Sequence, residues 1–178
     1  MTNVVREIEE ILINSYQGDQ VKYIKKNPGS LSQLIHLALG DVEPISWRSA
    51  YLIASGMKRN DERLRESINS FISVLPEKKD GHQREIIKIL SNMNLNDEQE
   101  GEFYDICYKL FQQPDKQASV KVNALKFVLR MVKKYPELKS EAEYLSRKHF
   151  LTGLSHGALN SVGKLFKQTD VNIKGDFL

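Results

Sequence analysis

The chain repeats itself. A helix-like segment recurs about every 36 residues, as Trp47 to Ile53, Gln83 to Ile89, Val120 to Lys126 and, more weakly, His156 to Val162. A unit of that length cannot bury an apolar face alone, so neighbouring copies must stack and share one core. The pattern predicts an all-α chain of stacked helical hairpins.

Helical periodicity supports this from end to end. Val4, Ile8, Ile11 and Leu12 mark a first buried face, with a break expected at Gly18-Asp19. Asn27-Pro28-Gly29 is a turn, after which Ser30 and Gln33 read as a capping box. Pro44 opens a helix expected to bury Trp47, Ala50, Tyr51, Ala54 and Met57. Asn60 or Asp61 starts another, with Leu64, Ile68, Phe71, Ile72 and Leu75 inside. Gly81 to Met93, Asn96 to Phe111, Ala118 to Tyr135, Pro136 to Leu145 and Ser155 to Gln168 complete the set. Asn96 and Gln99 form a second capping-box pattern. No run alternates as a strand would. One domain over 1–168 is expected, with a frayed tail over 169–178.

Composition excludes several classes. With 178 residues, 40% hydrophobic and 28% charged, the chain can bury a real core. The net charge of +3 does not by itself ask for nucleic acid. Cys107 is the single cysteine, so no intramolecular disulfide can form. The acidic, amphipathic start and the lack of a long apolar run point to a soluble cytoplasmic protein.

No motif carries an obvious reaction. Gly157 and Gly163 stand one residue too far apart for a phosphate loop, and Leu165 replaces its hydroxyl. His36, His82, His149 and His156 have no ligand partners at metal spacing, and neither a metal nor another cofactor is expected. Cys107 shares an apolar face with Phe103, Ile106 and Leu110, which reads as a buried thiol. Asp97, Glu98, Glu100 and Glu102 fall in the first turns of a helix, where the dipole favours them. Trp47 reads as core, or alternatively as an exposed ring that grips a ligand.

The remaining signal is distributed. Pairing the helices into hairpins puts Arg48, Lys58, Arg59, Arg84, Lys88, Lys121, Lys126, Arg130, Lys133, Lys134, Lys164 and Lys167 on the second helices, against Glu85 alone. The first helices are acidic on balance. Lys126, Arg130, Lys133 and Lys134 share one side of their helix, opposite Leu125, Val128, Leu129, Met131, Val132 and Tyr135.

A basic residue near the start of each second helix (Arg48, Arg84, Lys121) is followed by small or aliphatic residues. That pattern resembles HEAT repeats. The likeness runs from about Ile45 to Lys167, through Trp47-Arg48-Ser49-Ala50, the Ile68 to Pro76 segment, Val122-Asn123-Ala124-Leu125 and Tyr135-Pro136-Glu137-Leu138. It extends to small stand-alone HEAT-like proteins of bacteria. Some of these are labelled adenylosuccinate lyase, but the Ser-Ser-x-Met-x-x-Lys-x-Asn loop of that superfamily does not occur here. The resemblance implies a right-handed superhelix, an α-α solenoid of about four hairpins with N-terminal capping helices. It also implies that the second helices line a concave surface, here a basic one.

The expected function is a non-enzymatic module binding an acidic partner through Arg48, Arg84, Lys88, Lys121, Lys126, Arg130, Lys133, Lys134 and Lys164. An acidic protein segment is favoured and nucleic acid is the alternative. A further alternative is an enzyme resembling HEAT-like DNA glycosylases, with Arg48 in the basic groove, Trp47 as the aromatic wall and Glu85 as the one acid on that side.

Overall fold

Prolines and capping side chains mark several of the helix starts. The computed structural model describes residues 4–15, 17–169 and 171. They form α1 (Val4–Asn14), α2 (Gln17–Lys26), α3 (Leu31–Leu39), α4 (Ile45–Gly56), α5 (Ile68–Val74), α6 (Asp80–Ser91), α7 (Asp97–Gln112), α8 (Ala118–Lys134), α9 (Lys139–Leu145), α10 (Lys148–Leu151) and α11 (His156–Lys167). Short 3-10 turns precede α3, α5, α6 and α9. Three of them, Pro28–Ser30, Leu75–Glu77 and Pro136–Leu138, hold a proline in their first turn, where its missing N–H is no loss. Among the described residues there is no strand, and the fold is all-α.

The chain groups into two compact units, Met1–Leu95 and Asn96–Leu178. In the first, α4 is the hub. It packs against α3 and α6, and α1 and α2 lie on it as well. α3 also meets α5, so hairpin stacks on hairpin, first helix to first helix and second to second. α1 and α2 cover the end of this stack, as expected of capping helices. In the second unit α8 is the hub, packed against α7, α9 and α11.

Periodicity places the core well. Leu64, Ile68, Phe71, Ile72, Leu75, Ile86, Ile87, Ile89, Leu90 and Met93 are all buried in the first unit. Phe103, Cys107, Leu110 and Phe111 of α7 meet the apolar side of α8 in the second. The Phe103 and Phe127 rings lie 4.1 Å apart between centroids, at 44°. Such a pair adds about 1 kcal/mol to the burial of its area.

Several helix ends and faces differ from expectation. Asn96 and Gln99 do form a reciprocal capping box. Ser30 does not cap α3: its hydroxyl donates 2.6 Å back to the Asn27 carbonyl, because Pro28–Ser30 winds as a 3-10 turn. Gly18 lies inside α2 instead of breaking it. α4 buries Ser46, Ser49, Ala50, Leu52 and Ile53, while Trp47, Tyr51, Ala54 and Met57 stay partly exposed. Helices α1, α2, α3 and α6 all pack on α4, so its buried positions are not confined to the one expected face. The expected frayed tail lies mostly outside the described residues, although Val171 is buried.

Candidate functional site

The recurring cations face inward. Arg48 donates from Nη1 to the carbonyls of Leu12, at 2.6 Å, and Ile13, at 3.2 Å. These belong to the last turn of α1, where unsatisfied carbonyls favour a cation. Arg84 donates from Nε at 2.6 Å to Glu85, whose carboxylate also takes Lys88 Nζ at 3.0 Å. Glu85 is 1% exposed, so these two cations offset a buried charge that would otherwise be costly.

Lys121 is expected in the exposed basic layer, and the structure buries it instead. It is 1% exposed, with Nζ donating 3.0 Å to the Phe150 carbonyl and lying 5.7 Å from the Phe111 ring centroid. Burial pushes its ammonium below the usual lysine value. Lys78, missed by the sequence reading, plays a similar part. Its Nζ donates to the carbonyls of Leu39, at 2.9 Å, and Gly40, at 2.8 Å, and pairs with Asp41 at 2.6 Å, closing the end of α3.

Lys134 also departs from the shared basic side. It pairs with Glu100 at 2.7 Å, and Tyr135 Oη donates 3.0 Å to the same carboxylate. Glu100, with Asp97 at 3.8 Å, therefore holds this lysine, and the hydrogen bond to Glu100 raises its pKa. Both acids also border a cleft of about 500 Å³ with Tyr104, Met131, Leu138 and Glu141.

Of the cations expected in the basic layer, Lys58 and Arg59 beyond the end of α4 stay exposed, and so does a group on α8 and α11. Lys126, Arg130, Lys133, Lys164 and Lys167 are exposed. The first three border a cleft of about 160 Å³ with Leu129, Leu165, Gln168 and Thr169, and among the described residues no carboxylate borders it. The Arg130 guanidinium lies 4.6 Å from the Phe127 ring centroid. The contacts of Leu129 and Leu165 could not be read from charge pattern, since they depend on α11 docking against α8.

A second concavity lies in the first unit. Ile13, Ser15, Gln20, Trp47, Arg48, Tyr51 and Arg84 enclose about 400 Å³. Gln20 is buried, and its amide donates to the carbonyls of Ile11, Leu12 and Ser15, which fixes the wall between α1 and α2.

The residues that a catalytic reading would need are held in the interior. Glu85, the acid needed by a glycosylase-like reading, is buried between Arg84 and Lys88. Cys107 is fully enclosed, and burial raises its thiol pKa well above the ordinary value, which disfavours the reactive thiolate. Among the described residues no group of His, Cys, Asp and Glu could hold a metal ion, and no helix is long and apolar enough to cross a membrane.

A family model described as a HEAT repeat domain matches residues 9–159. No curated protein and no solved structure matches the chain.

Proposed function

The chain belongs to the HEAT repeat family, whose members generally serve as protein-interaction scaffolds and are typically non-enzymatic, and we propose that it binds an acidic protein segment through the exposed cations of α8 and α11. The observation that carries this reading is the α8–α11 cleft. Lys126, Arg130 and Lys133 border it beside the apolar Leu129 and Leu165, and no carboxylate lines it among the described residues. Among the described residues neither Lys126 nor Lys133 has an ion-pair partner. Glutamate or aspartate side chains would supply the missing counter-charge, and a small apolar side chain would fit between the leucines. Lys164 extends the surface. Arg48, Arg84, Lys88, Lys121 and Lys134 are engaged inside their own unit and contribute less, Lys121 not at all.

The test is a titration of labelled glutamate-rich peptide, and of duplex and single-stranded nucleic acid, at two salt concentrations. It is run on the wild type and on a Lys126→Glu, Arg130→Glu, Lys133→Glu variant. Peptide binding that weakens with salt and disappears in the variant is expected. Nucleic-acid binding with a steep salt slope and no peptide binding would move the reading to nucleic acid. Absence of any binding at low salt would leave these cations as a solvated face.

A further inference from the structure

We infer that the concavity in the first unit is a receiving site for an aromatic side chain flanked by carboxylates on an acidic partner segment. This rests on the reading of the chain as a binder of acidic segments and names what a second part of it recognises.

Three observations point to that ligand chemistry. The first is residue type. Trp47, Tyr51, Arg48 and Arg84 meet around one cleft, and these three residue types dominate the energetic centres of protein interfaces. Neither ring is spent in the core, since both stay partly exposed on α4. The second is shape and polarity. A cleft of about 400 Å³ accommodates one large side chain, with Ile13 as a further apolar wall. Ile13 is 49% exposed, one of two large apolar side chains left so among the described residues.

The third observation is charge. Among the described residues Arg48 bonds only to carbonyl oxygens, and its guanidinium lies 5.6 Å from the Trp47 ring centroid. Among the described residues it has no carboxylate partner. Arg84 borders the same cleft and a smaller one with Glu43, Trp47, Lys79, Gly81 and His82. A ring entering beside Trp47 therefore brings its flanking groups alongside two guanidiniums, which favour carboxylates. The arginines are held from behind by backbone carbonyls and by Glu85, so little side-chain freedom is lost on binding.

Trp47 is the single tryptophan, so its emission reports on this cleft. The full chain is titrated at low salt with three pentapeptides: phenylalanine between glutamate pairs, alanine between glutamate pairs, and phenylalanine between glutamine pairs. Binding is followed by anisotropy of a labelled peptide and occupancy by Trp47 emission. The expected result is that the first peptide shifts the emission and binds about tenfold tighter than either of the others. Tyr51→Leu and Arg84→Gln, each checked for helical content, should both abolish that preference while the Lys126→Glu, Arg130→Glu, Lys133→Glu variant keeps the emission shift. If glutamate peptides bind equally with or without phenylalanine and the emission stays fixed, the aromatic site is overturned while the α8–α11 reading stands. If the glutamine peptide binds as tightly as the glutamate one, the carboxylate requirement is overturned. If no peptide binds, both readings fall together.

Discussion

Lys121→Glu should destabilise the protein severely, whereas Lys126→Glu, five positions along the same helix, should be nearly silent. Lys121 is 1% exposed and donates 3.0 Å to the Phe150 carbonyl. A hydrogen bond from a charged donor contributes about 1.5–3 kcal/mol. The glutamate would instead put a carboxylate against a carbonyl oxygen in an apolar setting, an uncompensated buried charge costing about 3–5 kcal/mol. Lys121→Met keeps the length, orphans one carbonyl and relieves a buried charge, so a net loss of about 1–2 kcal/mol is expected. Lys126 is exposed, and its reversal should stay within about 0.5 kcal/mol. Urea unfolding followed by far-ultraviolet circular dichroism measures all three. There is also a pH signature. The folded pKa of Lys121 lies below its ordinary value of 10.5, so the unfolded chain holds that proton more tightly. Wild-type stability relative to Lys121→Met should therefore grow as pH rises from the folded value towards 10.5. Equal midpoints for Lys121→Glu and Lys126→Glu would refute the assignment of Lys121 to the interior.

Three further outcomes follow from the same reasoning. Asp61 accepts from Arg63 Nε at 2.8 Å and from the Arg63 amide, and these bonds hold its carboxyl at about 2 against an ordinary 3.8. At about 1.4 kcal/mol per unit, and discounted by about half because Arg63 is solvent-screened, Asp61→Asn should cost about 1 kcal/mol at neutral pH. The folded pKa is depressed, so this contribution is present above 3.8 and is lost as pH falls from 3.8 towards 2; urea midpoints across that window check it. Asn96→Ala removes the acceptor for the Gln99 amide and should cost about 1 kcal/mol in the same unfolding assay. Cys107 should react with a thiol reagent only at the rate of unfolding, which a comparison with and without denaturant measures.

The fold was legible because helix periodicity and turn chemistry agree. Leu64, Ile68, Phe71 and Ile72 follow one face, and Asn96 to Gln99 is a capping box both in pattern and in geometry. Ser30 shows the limit: the same pattern fails where a preceding Pro-Gly winds a 3-10 turn. The site was legible only in part. Charge pattern finds Lys126, Arg130 and Lys133, but treats every lysine as solvated. A signal against Lys121 was nonetheless present, since Leu125, Val128 and Val132 follow it at four, seven and eleven positions on the buried side of α8. The pairing of Lys134 with Glu100 joins residues far apart in sequence, and only the docking of α7 on α8 brings them together. The recurring cations of the repeat are thus held by their own unit, and the α8–α11 surface is read from the lysines that do not recur.

Amine footprinting tests that division most directly. The protein is treated briefly with an acetylating reagent, free and in the presence of the glutamate-rich peptide, and modified lysines are read by mass spectrometry. Lys126, Lys133, Lys164 and Lys167 should be modified in the free protein and protected in the complex, while Lys78 and Lys121 remain unmodified in both. Modification of Lys121 at the rate of Lys126, or protection that leaves Lys126 and Lys133 untouched, would contradict the account.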